Sequence, residues 1–296
     1  TLLDKNGGII KSNAFPNTGE ALQDFVKDFP VWKTTIAIEA CNFWRGCHKI
    51  LKEKGYVVKL ANPVTCHKIA HEKKTDEVDS KILADLSRVN YLPEIYIPSD
   101  EINALRDLTR HKMHFTRFKV RTQNKIKSCL SRNGISYENN LWNEEGLQWL
   151  KELKNYEVDS FLRLYKLISK EEDIIKEKII KVAQSKKETT LLETIPGVGY
   201  FGAALIYAEI GDIHRFPTLK HLHAYAGVAP GIYQSGTKTR MPSRKSVNYW
   251  LKWIVMQCAG RVALKNIKPN KLRDYYLRIR DKKGWKTARK ATARKM

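Results

Sequence analysis

Two glycines around a valine, followed at once by small residues, constrain the fold of this chain more than any other feature. Residues 195–199 read Ile-Pro-Gly-Val-Gly and run on to Ala203, Ala204 and Leu205. Gly197 and Gly199 open backbone conformations closed to other residues, so the chain can reverse and start a second helix within a few positions. Such a turn has the form of a helix–hairpin–helix. Its N–H groups and the N-terminus of the second helix converge on one spot and can hold a phosphate. Further on, residues 234–240 read Gln-Ser-Gly-Thr-Lys-Thr-Arg, placing Ser235 in a flexible turn beside Lys238 and Arg240, with Arg244 just beyond. Pro-Gly-x-Gly alone marks an ordinary turn more often than a site, and Ser-Gly alone is turn chemistry. Their ordered succession is more specific. A phosphate-gripping turn ahead of an electropositive serine loop points to chemistry on a nucleic-acid backbone.

Charge points to the same partner. The net charge is +23 over 296 residues, unevenly spread. Residues 1–100 carry 14 basic and 13 acidic side chains, and residues 136–213 carry 10 and 14. Residues 101–135 carry 9 and 2, and residues 214–296 carry 21 and 2. Charge of that density at one end is the footprint of a polyanion site. An acidic membrane surface is the competing reading, but no 18-residue apolar run and no signal peptide support it. The 42% of hydrophobic residues suffices for a core in each of two or three parts. Five cysteines without Cys-x-x-Cys spacing read as reduced thiols in a cytoplasm, and Cys47-His48 and Cys66-His67 match no common zinc site.

Residues 1–100 alternate strand and helix. Residues 1–3 and 9–11 flank a glycine turn, a helix is expected from Thr18 to about Phe29, a strand over 32–40, a helix over 42–54 and a strand over 56–60. A hairpin feeding βαβ units indicates a mixed α/β sheet with helices against it. Residues 101–135 form a basic helix with Arg106, Arg110, Arg117, Arg121, Lys125 and Arg132 among its cations. Such a face is either solvated or a contact for phosphates; nine cations against two anions argue for contact. Between 158 and 182, apolar residues recur at heptad spacing with one charge, Glu172, on the seam. Two readings stay open: a helix packed antiparallel to 101–135 in the same chain, or an arm that dimerises. A further helix is expected over 247–264. The tail from Lys268 sets Tyr275, Tyr276 and Trp285 among cations, which suits exposed bases.

Glu39 ends the apolar run Thr-Thr-Ile-Ala-Ile-Glu, and Asp76 and Asp79 open a helix in Lys-Thr-Asp-Glu-Val-Asp-Ser-Lys. Spacing of i, i+3 puts both aspartates on one face. With a carboxylate at a strand end opposite them, they could hold two Mg²⁺ ions about 4 Å apart for phosphoryl transfer. An acidic pair at a helix start also has a simpler role, complementing the helix dipole.

The strings KTDEVDSKILADL, IPGVG, AEIGDIHRF, AYAGVAPGIYQSGTKTR and RKATARKM together resemble the DEDD-type insertion-sequence transposases, the insertion-sequence one-ten family and its relatives the Piv-type DNA invertases. The resemblance covers nearly the whole chain and is most specific in the serine segment. It implies an α/β RuvC-like (RNase H-like) domain over 1–100, a basic helix and coiled-coil connection over 101–187, and a mostly helical C-terminal transposase domain with a helix–hairpin–helix over 188–296. Carried over, three of the four metal-binding carboxylates fall on Glu39, Asp76 and Asp79, and the serine falls on Ser235. The first aspartate of the pattern falls upstream of Thr1, and Asp4 is not its equivalent; the family pattern also continues past Met296. A chain cut short at both ends is therefore expected.

The resemblance implies a DNA transposase or recombinase of the prokaryotic cytoplasm, acting at the nucleoid. Ser235 would be its nucleophile and Mg²⁺ its cofactor. Gly197, Gly199, Lys238, Arg240 and Arg244 would contact nucleic acid together with Arg106, Arg110, Arg117 and Arg121. Its implied partners are DNA, a noncoding bridge RNA as guide, and further copies of itself, from dimer to tetramer. Two alternatives remain: a RuvC-like structure-selective nuclease using water, and a catalytically incomplete DNA-binding remnant.

Overall fold

Short apolar runs alternating with capped helical segments build the first part of the chain, and long amphipathic helices build the rest. The computed structural model describes residues 1–69, 75–230, 233–235, 238–240, 247–264 and 268–296, with 233–235 and 238–240 described in backbone alone. They divide into two units, Thr1–Ile97 and Pro98–Met296.

In the first unit, β1 (Leu2–Leu3) pairs antiparallel with β2 (Ile9–Lys11). The Asp4 carboxylate closes the turn between them by accepting from the N–H groups of Asn6 and Gly8, both at 2.8 Å. Helix α1 (Gly19–Val26) starts at Thr18, whose hydroxyl accepts from the Ala21 N–H as an N-cap should. Strand β3 (Thr35–Glu39), helix α2 (Trp44–Glu53) and strand β4 (Val57–Ala61) then form a βαβ unit, its strands parallel with Glu39 opposite Ala61. Leu51 of α2 is fully buried with Val26 and Tyr56. The Tyr56 hydroxyl lies 2.7 Å from the Val26 carbonyl and 2.8 Å from that of Phe29, fixing the end of α1 to the start of β4. Helices α3 (Pro63–Ile69) and α4 (Asp76–Arg88) complete the unit. The expected elements are present, but the mixed sheet is not continuous: among the described residues β1–β2 and β3–β4 are separate two-stranded pairs.

The second unit is helical. Helix α5 (Asp100–Arg132) carries the basic segment, α6 (Glu144–Glu152) follows, and α7 (Tyr156–Gln184) carries the heptad seam. The seam packs inside the chain. Ile126 and Leu130 of α5 meet Val158 and Leu162 at one end, and Leu105 meets Ile179 and Ala183 at the other, so the two helices run antiparallel. Glu172, the interruption in the heptads, faces α5 and is held by Lys112 at 3.0 Å, Lys119 at 3.2 Å and the Thr116 hydroxyl at 2.6 Å.

Helix α8 (Lys187–Glu193) leads through the glycine turn into α9 (Tyr200–Ile210), followed by a 3₁₀ turn (Ile213–Arg215) and α10 (Leu219–Tyr225). Strands β5 (Tyr233–Ser235) and β6 (Lys238–Arg240) pair antiparallel, and α11 (Tyr249–Arg261) and α12 (Lys271–Lys295) end the chain. Helix α9 is apolar all round because it is the central element: Ala204 and Ala208 face the α5–α7 pair, while Ala203, Leu205 and Ile206 face α11. Residues 98–296 thus form one compact unit. Helix α12 breaks at Gly284 (φ 79°) and docks on α11 through Arg289, which donates to the Met256 carbonyl at 2.6 Å and to the Gln257 side chain at 2.8 Å.

Candidate nucleic-acid interface and catalytic residues

The carboxylates of the first unit sit where the strand and helix pattern put them. Glu39 is the last residue of β3, and Asp76 and Asp79 lie in the first turn of α4, which is capped by the Thr75 hydroxyl. Glu39 and Asp79 line one small cavity with Cys66 and His67. Glu39 and Asp76 both line a cavity of about 900 Å³ bounded by β1, α1, β3, α2 and α4. Glu39 therefore shares a cavity wall with each of the two aspartates. Among the described residues no three His, Cys, Asp or Glu side chains converge closely enough to hold a metal ion. The donors are hard carboxylate oxygens, the type Mg²⁺ takes. Burial raises the Cys66 thiol above its ordinary range, and the Glu39 charge adds to this.

In the second unit, the turn after α8 takes the form its glycines require. Gly197 has φ +89°, and a Cβ there would stand 2.6 Å from the Cys258 carbonyl oxygen of α11. Gly199 is the N-cap of α9, with extended backbone, no capping side chain and open space where a Cβ would be. Gly197 is therefore fixed by packing, and Gly199 leaves the α9 N-terminus accessible. Ser235 closes β5, and its backbone pairs with that of Lys238 at the start of β6. The side chains of Ser235, Lys238 and Arg240, and the whole of Arg244, lie outside the described residues.

Helix α5 divides its cations between two roles. Arg106 is buried, and its guanidinium donates to the carbonyls of Ala208 at 2.6 Å and Glu209 at 2.9 Å. Burial lowers its affinity for a proton, with Glu209 opposing that effect. The expectation that Arg106 lines a nucleic-acid channel is corrected by this position: it holds α9 against α5. Arg110 is half-buried and forms a fork with the Glu209 carboxylate, Nε to Oε1 at 2.7 Å and Nη2 to Oε2 at 2.8 Å. Arg117 and Arg121 are exposed, as is Lys125. The Arg117 guanidinium lies 5.0 Å from the Trp250 ring centre and 5.8 Å from that of Tyr249, both on α11. The positions 110, 117, 121 and 125 follow helical spacing, so three exposed cations continue along one side of α5 beyond the buried fork.

Sequence reasoning overlooked the group at the centre of this arrangement. Glu209 is fully buried. Besides Arg110, it accepts from the Asn248 side-chain amide at 2.8 Å, and that amide also donates to the Tyr225 hydroxyl at 2.8 Å. The Tyr225 hydroxyl in turn donates to the Glu209 carbonyl at 3.2 Å. The available signal was one acid in the otherwise apolar run Tyr-Phe-Gly-Ala-Ala-Leu-Ile-Tyr-Ala-Glu-Ile. A charge in such a helix must be paired.

Two family profiles match this chain. One, described as "Transposase" and built on the DEDD domain of the IS110 type, covers residues 1–134; the other, "Transposase IS116/IS110/IS902 family", covers residues 189–277. The chain thus carries two transposase domains of the IS110 type. It is similar to the transposase for insertion sequence element IS1328 of Yersinia enterocolitica, with 25% identity over 76% of this chain and 69% of that protein. Against the transposase for insertion sequence element IS1111A of Coxiella burnetii, identity is 23% over 79% of this chain and 66% of the relative. The pilin gene-inverting protein of Moraxella bovis shares 27% over 60% and 51%. The chain thus spans between about half and two thirds of the length of these relatives. No helix among the described residues is long and apolar enough to cross a membrane.

Proposed function

We propose that this chain is the DNA-cutting and rejoining part of a transposase in which Ser235 is the nucleophile. The observation that carries the reading is the place of Ser235: it ends β5 opposite Lys238, within the segment matched by the second transposase profile, in the most basic stretch of the chain. In the proposed reaction the Ser235 Oγ attacks a backbone phosphorus, an Oγ–P bond forms, and a deoxyribose oxygen leaves with the electron pair. The serine ester keeps the bond energy, so a second DNA hydroxyl can attack the same phosphorus and free the serine without ATP. Lys238, Arg240 and Arg244 balance the phosphate charge, while Gly197 and Gly199 offer backbone N–H groups to a neighbouring phosphate. Arg117 and Arg121, with Arg110 held behind them by Glu209, follow the duplex or an RNA guide, since a bridge RNA and self-association into dimers or tetramers belong to the same reading.

Glu39, Asp76 and Asp79 are the proposed holders of Mg²⁺. When bound, such an ion polarises a phosphate and eases departure of the leaving oxygen. The protein's own contribution there is to present hard oxygen donors from a strand end and a helix start. Work on DNA in the cytoplasm, at the nucleoid, follows from the same proposal.

The test is Ser235→Ala in a recombination-competent protein. The variant should bind DNA as the wild type does and form no covalent protein–DNA adduct. Recombination at the wild-type rate by Ser235→Ala would contradict the serine reading and leave a metal-dependent, water-using nuclease as the better account.

A further inference from the structure

In the sequence, the segment that carries Ser235 runs between Tyr225, the last residue of α10, and Asn248, the N-cap of α11. Its two ends are tied to one another: the Asn248 N–H donates to the Tyr225 carbonyl at 2.8 Å, and the Asn248 amide donates to the Tyr225 hydroxyl at 2.8 Å. Asn248 also caps α11, its Oδ1 accepting from the Leu251 N–H at 2.9 Å. The second hydrogen of the same amide goes to Glu209 Oε2 at 2.8 Å. The Glu209 carboxylate meets α5 through the Arg110 fork. One buried carboxylate therefore joins both roots of the serine segment to the helix that carries the exposed Arg117 and Arg121.

Stability alone is a weak reason for such an arrangement. A buried ion pair returns little net folding energy after both charges are desolvated, and an apolar replacement of the same shape often serves the fold as well. A charged fork combined with an amide that uses both of its hydrogens does define a geometry closely, because each donor and acceptor direction is spoken for. Resting on the serine reading above, we propose that Glu209 is the positioning residue of the serine segment. With Arg110 and Asn248 it fixes the roots of residues 226–247 relative to α5, so that nucleic acid held along α5 meets Ser235 in register.

Glu209→Gln tests this. It keeps the size of the side chain, removes the charge and turns one acceptor into a donor that opposes Arg110 or Asn248. Three measurements are needed, all below the melting transition of the variant: DNA affinity, the single-turnover rate of covalent adduct formation at saturating DNA, and amide hydrogen exchange at Asn248. We expect affinity to change by less than about threefold and the adduct rate to fall by about 10²-fold, as for a reacting group displaced by an ångström or so. The Asn248 amide should exchange at least about tenfold faster, since its bond to Tyr225 loses its support. A loss confined to affinity, or an unchanged adduct rate, would overturn the proposal. So would wild-type exchange at Asn248, and that readout holds whichever residue is the nucleophile. If Ser235→Ala keeps the adduct, the serine reading falls by itself, while exchange still reports on the clamp. Should Glu209→Gln fail to fold, Asn248→Ser keeps a capping oxygen for α11 but cannot donate to Glu209. The same pattern of rate, affinity and exchange is then expected.

Discussion

Residues of one type take different structural positions on this chain, and the difference can be tested residue by residue. Gly197 and Gly199 are two positions apart in the sequence. Alanine at 197 needs a left-handed conformation and a Cβ 2.6 Å from the Cys258 oxygen, with Val262 Cγ2 at 2.9 Å. At 199 the space is open. In urea melts we expect Gly197→Ala to cost about 2–3 kcal/mol or more and Gly199→Ala about 1 kcal/mol or less. Equal effects would mean that the turn is not built as described. The arginines separate in the same way. Arg106→Ala should destabilise the fold by about 1–3 kcal/mol by removing its two hydrogen bonds to the carbonyls of α9, with no change in the salt dependence of DNA binding. Arg121→Ala should leave stability within about 0.5 kcal/mol and lower the slope of log affinity against log salt by about 1. A slope that changes for Arg106→Ala but not for Arg121→Ala would reverse the assignment. Sequence could list these arginines but not sort them. Burial of Arg106 depends on α9 lying across α5, a contact between residues about a hundred positions apart.

At the level of elements, local signals were legible and partnerships were not. Thr18, Thr75 and Ser99 mark three helix starts, and each hydroxyl accepts from a first-turn N–H. The heptads of α7 were equally plain, yet the same stripe suits a partner in this chain or in another. The choice of α5 depends on specific pairing along the seam, above all at Glu172. Burial alone would raise the Glu172 carboxyl, but bonds from Thr116, Lys112 and Lys119 outweigh it and hold the group below its ordinary value of 4.5. The anion is thus favoured by folding. Its stabilisation is complete above that ordinary value and is lost as pH falls through the lower folded one. Glu172→Gln should weaken the fold at neutral pH and flatten the loss of stability as pH falls below 4.5. A variant with the wild-type acid profile would show that Glu172 does not link α5 to α7.

For the molecule as a whole, the charge pattern announced a polyanion partner before any element was placed, and the serine segment announced the family. The metal site was less legible. Its carboxylates were identified by type and spacing, but convergence depends on how strand ends and helix starts meet in three dimensions, which spacing along the chain does not encode. With exposed cations along α5 and 21 basic residues after position 213, DNA affinity should fall by about 10³–10⁵ between 50 and 200 mM salt if six to ten phosphates are contacted. An affinity flat across that range would remove the electrostatic interface. The most direct measurement, though, is chemical. A DNA substrate is incubated with a recombination-competent protein, the reaction is stopped with denaturant, and the protease-trimmed protein–DNA adduct is sequenced by mass spectrometry. We expect a single phosphodiester, on Ser235. An adduct at any other residue, or recombination that proceeds with no adduct formed, would contradict the proposal that Ser235 cuts the DNA.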